Sequence, residues 1–207
     1  MVWNDELKRE IPKGWVVKKL SEVCSRVQSG GTPATKNTSF YDGNIKWFST
    51  KELDDSFVLD SEKHISQEAL DNSSAKLFSK DSVLIAIYAS PTAGRLGILS
   101  EEGAINQAIS GIEPKGDFST EYIFMTLLTT RQRLLALASG TSQQNVSNQI
   151  IRDYRVVVPS DKILRDFNNC AKPLFVQLKM GQQESRQLVK LRDWLLPMLM
   201  NGQVSVN

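Results

Sequence analysis

The chain has 207 residues, 41% of them hydrophobic, enough to bury one substantial core and a smaller second element without metals or crosslinks. Its formal net charge is +2, from 25 Lys+Arg against 23 Asp+Glu, so composition carries no overall footprint for nucleic acid. Cys24 and Cys170, far apart and in no metal-ligand spacing, give no support for a disulfide framework or a zinc site.

The start "MVWNDELKREIPKGW" carries acids and bases where a signal peptide needs an apolar run, and no stretch approaches the roughly 20 apolar residues that span a bilayer. A soluble, cytoplasmic protein without membrane contact is expected. "GWVVKKLSEV" reads as a brief strand followed by a turn of helix, and "GNIKWF" as a strand after the turn residues Asp42 and Gly43. "DSVLIAIYAS" has the length and β-branched content of a buried strand; "GRLGILS" and "GAINQAISGIEP" alternate well enough to be neighbouring strands. A helix follows over residues 121–138, with Ile123, Leu127, Leu128, Leu134, Leu135 and Leu137 as its apolar positions and Gly140 as its stop. Next comes "SGTSQQNVS", residues 139–147, in which eight of nine side chains are hydroxyls, carboxamides or absent, and then "YRVVVP", a closing strand. Arg131, Arg133, Arg152 and Arg155 flank the polar stretch with only Asp153 against them. They form either a small basic surface or four ordinary solvated side chains.

From Asp161 the texture changes. Residues 1–160 hold 18 bases and 19 acids, whereas residues 161–207 hold 7 and 4. Ser160 or Asp161 can cap a helix, and Phe167, Ala171, Leu174, Leu178, Gly181, Ser185, Leu188, Arg192, Leu195 and Leu199 recur at spacings of four and three, a heptad seam with polar breaks. Pro173 should kink or split this helix, because its ring removes a helical hydrogen bond. Two outcomes stay open: an antiparallel hairpin folded at Pro173, or a rod of roughly 60 Å that projects and pairs with another helix. The pattern predicts an α+β chain: a globular mixed domain with a short-strand β-sheet over residues 1–160, then a long projecting coiled-coil helix within residues 161–207.

Sites for chemistry are scarce. His64, the sole histidine, sits in "DSEKHIS" with no nucleophile signature around it. "GGTPATK" lacks the second glycine before lysine and the following hydroxyl of a phosphate loop, so a turn explains it. Asp54, Asp55 and Asp60 can in principle hold magnesium for phosphodiester cleavage, but no lysine pairs with them in a recognisable strand context. Neither a dinucleotide fingerprint nor a methyl-transfer tetrapeptide is present. Binding, with no catalytic residue and no metal of its own, is the expectation.

Several motifs in order carry a family resemblance: "IPKGWVVKKLSEV", "SGGTP", "YDGNIKWFSTKEL", "INQAI", "ASGTSQQNVS", "VVVP", and a long helix ending "LRDWLLPMLMNGQV". Together they resemble the specificity subunit of type I restriction and modification systems over nearly the whole chain, although Ile163 stands where the family often has a glutamine. A full subunit of that family has two target recognition domains and two long helices; this chain has one of each, which implies half a subunit. The resemblance implies a noncatalytic reader of one half of a bipartite site in double-stranded DNA. Methyltransferase (modification) subunits would dock on it, the restriction subunit would join through the complex, and a second specificity half or a second copy would pair with its helix. S-adenosylmethionine, ATP and Mg are then expected only in the partner subunits. A coiled-coil adaptor without DNA binding is the alternative, and a free-standing nuclease using Asp54 or Asp60 a further one.

Thr141, Ser142, Gln143, Gln144 and Asn145 have the donors and acceptors for phosphates or base edges. Family members read different sequences, so a shared motif cannot carry the difference, and this stretch is expected to fix a loop or meet the sugar-phosphate backbone. Base contacts are expected outside the shared motifs: Lys51, Lys76, Lys80, Tyr88, Ser90, Thr92 and Arg95, with Arg95 foremost because arginine on guanine is the commonest specific contact. An ordinary surface arginine near a tight turn is the alternative for Arg95. Leu174, Leu178, Leu188, Leu195 and Leu199 are the expected helix-pairing positions.

Overall fold

Short strands, each too brief to be stable alone, gain their stability by stacking into layers. The computed structural model describes residues 1–88, 92–138 and 146–203. The strands are β1 (Val2–Asn4), β2 (Arg9–Ile11), β3 (Val16–Lys19), β4 (Cys24–Ser29), β5 (Ile45–Phe48), β6 (Ser56–Val58), β7 (Lys63–Ile65), β8 (Lys76–Phe78), β9 (Val83–Ala86), β10 (Leu96–Leu99), β11 (Gly103–Ile105), β12 (Ile109–Pro114) and β13 (Arg155–Val158). The helices are α1 (Leu20–Val23), α2 (Gln67–Asp71), α3 (Thr120–Ala138), α4 (Asn148–Asp153) and α5 (Asp161–Met200). The chain is α+β with one long C-terminal helix.

Strands β4, β12, β9, β10 and β6 form a five-stranded sheet in that order, antiparallel except for β10 with β6. Strands β7, β5, β11 and β8 form a second sheet, with β11 and β5 parallel. "GRLGILS" and the second half of "GAINQAISGIEP" are thus β10 and β12, which flank β9 and do not pair with each other; the "GAI" half is β11, in the other sheet. Residues 106–108 switch the chain between sheets, and alternation within a strand carries no record of that crossing.

Period two does explain the core. Successive side chains of β9 point to opposite faces. Val83 and Ile85, with Leu96, Ile98 and Ile112, pack against Ile123, Leu127 and Leu134 of α3. Leu84 and Ala86, with Leu99 and Ile109, pack against Phe48, Phe78 and Ile105 of the second sheet. Beyond that sheet, Phe40, Trp47, Ile65 and Ala104 close over Ala69 of α2. A fully buried large side chain contributes about 1.5–3 kcal/mol relative to exposure, so β9, buried on both faces, is the main anchor of the layers.

An open sheet edge offers unpaired backbone groups. Here side chains cover three of the edges. Arg152 of α4 donates from Nε and Nη2 to the Val27 carbonyl of β4 at 3.0 and 2.8 Å, and Gln182 of α5 accepts from the Phe57 amide of β6 at 3.2 Å. Arg26 donates to the Leu77 carbonyl of β8 at 2.8 Å while lying 3.9 Å over the Phe78 ring. The other arginines near the polar stretch are also engaged: Arg131 with Asp55 at 2.5 Å, Arg133 with the Leu7 carbonyl at 3.2 Å, and Arg155 with Glu6 at 3.4 Å. Among the described residues each of those four arginines thus has a partner, and Arg131 and Arg152 tie elements of the core together.

Helix α5 runs without interruption from Asp161 to Met200 through both Pro173 and Pro197, so the hairpin at Pro173 does not form. An internal proline costs about 3 kcal/mol. Packing on both sides of it offsets that cost: Phe167 meets Tyr122 at 5.7 Å, and Phe175 meets Phe124 at 5.8 Å and Phe57 at 6.3 Å, edge-on contacts worth about 0.5–1.5 kcal/mol each beyond area burial. Phe167 and Ala171 consequently face the chain's own core and leave the expected seam. Leu174, Leu178, Leu188 and Leu199 stay exposed, at 63, 47, 58 and 38%, and Leu195 is half-buried.

Candidate nucleic-acid interface

Strand register decides which residues meet. In the first sheet, Ser29 pairs with Ser110, Ile109 with Ala86, and Ile85 with Leu96, so the end of β4, the start of β12, the end of β9 and the start of β10 share one margin. Gly97 pairs with Ser56, which adds the start of β6. In the second sheet, Ile105 pairs with both Phe48 and Lys76, bringing the end of β11, the end of β5 and the start of β8 to the same place. Residues 106–108 join the two margins.

That common end holds five of the six expected DNA contacts that fall within the described residues. Lys51 lies in the single helical turn after β5, its side chain 79% exposed and 3.8 Å from Glu62. Lys76 opens β8 and is exposed. Tyr88 follows β9, 40% exposed, and Thr92 and Arg95 precede β10. Among the described residues the Arg95 guanidinium has no hydrogen-bond or ion-pair partner, while its backbone is fixed: its carbonyl accepts from Ala86 at 2.9 Å and its amide donates to Thr92 at 2.9 Å. Lys80 is elsewhere. It precedes β9 at the opposite end, in a polar hollow with Ser82, Glu113, Thr120 and Lys172. The sequence distance of four between Lys76 and Lys80 spans the length of β8, which a linear reading does not resolve. Ser90, Thr141, Ser142, Gln143, Gln144 and Asn145 lie outside the described residues.

The shared motifs build the floor of this end. Gly30 and Gly31 donate to the carbonyls of Ile109 at 3.2 Å and Ile105 at 3.0 Å, tying "SGGTP" across both sheets. A Cβ at Gly30 would stand 1.8 Å from the Ile105 carbonyl oxygen, and one at Gly31 2.3 Å from that of Ser74, so only glycine fits at either position. Trp47 donates from its indole to the Gly31 carbonyl at 3.0 Å. Tyr41 donates to the Pro33 carbonyl at 2.8 Å, and burial raises its phenol above the ordinary value. Thr32 donates to the Gln107 carboxamide oxygen. The "INQAI" turn is closed by Asn106, whose side chain accepts from the Ala108 amide at 3.0 Å, and the Ala108 carbonyl accepts from Ile87 at 2.8 Å. Directly after the polar stretch, Val146 donates to the Ile87 carbonyl at 2.9 Å, and Asn148 bonds both Ser110 and Ser29.

Thr32, Gln107 and Asn148 were not among the residues expected from the sequence to matter here; "SGGTP" and "INQAI" marked the first two as motif members without saying that they meet. Asp55 also belongs to this end. Its carboxylate accepts from the Leu96 amide at 2.9 Å and from Arg131 at 2.5 Å, fixing β10 to α3 directly beside Arg95.

Two of the acids considered for metal chemistry are held by other partners. Asp55 is engaged as described, and Asp60 pairs with Lys46 at 3.2 Å and Arg186 at 2.5 Å. Burial works against the Asp60 charge, but the hydrogen bond and charge of Lys46 and the charge of Arg186 prevail and hold its carboxyl below the ordinary range. Among the described residues no group of three or more His, Cys, Asp or Glu is placed to hold a metal ion, and no helix is long and apolar enough to cross a membrane.

A family model described as the type I restriction modification DNA specificity domain matches residues 12–169. The chain is 26% identical over 198 residues to the type I restriction enzyme HindI specificity subunit of Haemophilus influenzae, covering 94% of this chain and 42% of that protein. It is 27% identical over 207 residues to the type I restriction enzyme MjaIX specificity subunit of Methanocaldococcus jannaschii, covering 99% and 48%. The chain thus spans less than half the length of these curated relatives. In fold it is similar to the HsdS subunit from Thermoanaerobacter tengcongensis, with TM-score 0.59 and 15% identity over 95% of this chain and 47% of that one. The type I system S subunit from M. genitalium gives TM-score 0.63 and 15% identity over 89% and 45%. With the family model covering more than half of its residues, the chain belongs to the type I restriction modification DNA specificity domain family.

Proposed function

We propose that the chain is a noncatalytic reader of one half of a bipartite site in double-stranded DNA, and that it directs type I methyltransferase and endonuclease partners to that site. Residues 1–160 do the reading and residues 161–207 serve as spacer and docking element. The observation that carries this reading is the gathering of Lys51, Lys76, Tyr88, Thr92 and Arg95 at one end of both sheets, with Arg95 held by its backbone and its guanidinium unpaired among the described residues.

Contacts at that end divide by chemistry. Lys51 and Lys76 are mobile point charges suited to phosphates, which position a protein without reading sequence. Arg95 has the planar fork that matches guanine in the major groove, and Tyr88 and Thr92 stand on the same connection. The polar residues Thr141, Ser142, Gln143, Gln144 and Asn145, leading to Val146 at this same end, serve the sugar-phosphate backbone or the loop itself. Ser90 belongs with the base-reading set by its place in sequence, and Lys80, at the opposite end, lies apart from this set.

Helix α5 supplies the rest. Leu174, Leu178, Leu188, Leu195 and Leu199 pair with the helix of a second specificity half or a second copy. Val189, Leu191, Trp194 and Leu196 are also exposed, and Trp194 lies roughly a third of a turn from Leu188 at 3.6 residues per turn, so one partner helix cannot cover the end of α5 alone. The remaining side suits the methyltransferase subunits, with the restriction subunit joining through the complex. S-adenosylmethionine, ATP and Mg act in those partners.

Mapping methylated adenines with the modification subunit present tests the reading. Arg95→Ala should relax preference at one position of the half-site by about tenfold or more, matching the ~1–3 kcal/mol of a bidentate base contact, and Lys80→Ala should leave the pattern unchanged. Methylation independent of the chain would overturn the proposal. Absence of salt-dependent binding to random duplex, with or without the modification subunit, would favour a coiled-coil adaptor instead.

A further inference from the structure

Helix α5 meets the rest of the chain along one face, through Phe167, Ala171, Phe175, Lys179, Gln182 and Arg186, which recur at spacings of four and three. The contacts change in kind along this row. The first three are apolar: Phe167 and Phe175 meet Tyr122 and Phe124 of α3 and Phe57, and Ala171 is buried. The last three are polar and directional: Lys179 donates to the Ser100 carbonyl at 2.7 Å, Gln182 accepts from the Phe57 amide at 3.2 Å, and Arg186 donates to Asp60 at 2.5 Å. Asp60 is itself tied to Lys46 of β5 at 3.2 Å, and Lys46 also donates to the Leu59 carbonyl at 2.9 Å and pairs with Glu101. Through Asp60, Arg186 therefore reaches both sheets. Beyond Arg186, among the described residues, no side chain of α5 makes a hydrogen bond, ion pair or ring contact with another element; Arg192 pairs with its neighbour Asp193.

We infer that Gln182 and Arg186 are positioning residues that latch α5 to β6 and Asp60 and so fix the direction in which the end of the helix leaves the reading domain, and with it the gap between half-sites that the assembled protein accepts. This rests on the proposed role of α5 as spacer. Fourteen residues follow Arg186 in α5, an arm of about 21 Å at 1.5 Å per residue. A tilt of about 10° at the latch moves its tip by close to 4 Å, slightly more than the roughly 3.4 Å rise of one base pair. Without the latch, the last fixed contact is Lys179, and the free arm lengthens to 21 residues, or about 32 Å. The ring contacts of Phe167 and Phe175 hold the earlier part of the helix on the domain, before the arm begins. The polar contacts set the angle.

Two measurements on the full chain test this. The first is methylation, with the modification subunit, of duplexes in which the gap between half-sites is varied one base pair at a time. The wild-type chain should favour one gap; in the Gln182→Ala, Arg186→Ala double variant the ratio of the preferred gap to its neighbours should fall by about fivefold, with preference within each half-site unchanged. Arg186→Lys, which keeps a charge beside Asp60, should recover part of the ratio, and Asp60→Asn should act like Arg186→Ala. The second is a spin-label distance between Lys13 and Gln203, both exposed, with the exposed Cys170 replaced by serine and the buried Cys24 left in place. Its distribution should broaden in the double variant. An unchanged distribution, or a broadened one with an unchanged gap profile, overturns the latch while leaving the spacer standing. A wild-type chain that directs methylation without gap preference removes the spacer role and the latch together.

Discussion

The two halves of α5 share one uninterrupted helix and one heptad repeat, yet they stand in different surroundings. Up to Arg186 the helix belongs to the folded domain: Leu164 and Ala171 are buried, Phe175 lies between Phe57 and Phe124, and Gln182 completes the edge of β6. After Arg186, Leu188, Val189, Leu191, Trp194 and Leu196 are each about half exposed or more among the described residues. A repeat of apolar residues states that a stripe is to be covered. It does not state whether the cover is the chain's own core or another helix.

The sharpest way to separate the halves is by stability. Phe175→Ala removes a ring held by two aromatic neighbours and should destabilise the isolated chain by about 3 kcal/mol, read from the shift in urea midpoint at constant slope. Trp194→Ala, a larger truncation, should change it by less than about 0.5 kcal/mol, because its ring is 60% exposed and makes no ring contact with another element among the described residues. Equal losses would break the comparison by showing that the end of the helix folds onto the domain in solution.

Much of the fold is legible in the sequence. The strand at Val83–Ala86 was readable because four consecutive buried β-branched and aliphatic residues have few alternatives, and the helix after it because Ile123, Leu127 and Leu134 keep one face. The crossing between sheets at residues 106–108 was not, since pairing partners distant in sequence leave no mark on local alternation. The uninterrupted path through Pro173 was hidden for a related reason: its cost is local and visible, whereas the offset comes from Phe57, Tyr122 and Phe124, more than forty residues away. For the candidate interface, the residue types were readable but their placement was not. Lys76 and Lys80 look equivalent in "SAKLFSKD", and register puts them at opposite ends. Arg131 and Arg152 looked free in sequence; Asp55 and the Val27 carbonyl claim them.

The comparison is sharpened again by association. If the exposed stripe is covered by a second copy, Leu188→Asp with Leu195→Asp should weaken self-association by at least about tenfold, or ~1.4 kcal/mol, measured by sedimentation across a concentration series. The urea midpoint under monomeric conditions should stay where it was. An acid placed in a seam between helices must be desolvated without a partner, whereas the same acid on an uncovered helix stays in water. Unchanged association in the double variant would show that this stripe is covered by something other than a copy of the chain.

The smallest expected effect concerns pH, and it distinguishes an ion pair that bridges elements from one that does not. Lys46 and Arg186 outweigh burial and hold the Asp60 carboxyl below its ordinary range in the folded chain. A carboxyl whose folded value lies below its unfolded one adds stability at pH above the ordinary carboxylate range, and that stability is lost as pH falls through the ordinary range and into the lowered one. Asp60→Asn removes this contribution, so the variant should be less stable at neutral pH by up to about 1 kcal/mol, a size limited by the solvent that reaches the pair, and the two chains should converge in acid. Asp193→Asn should leave stability at neutral pH within about 0.5 kcal/mol, because the Arg192–Asp193 pair joins adjacent residues of one helix and closes no contact between elements. If Asp60→Asn gave a constant offset at every pH, the bridge from α5 to the two sheets would be acting through shape and not through charge, and Arg186→Lys would then no longer be expected to substitute for arginine.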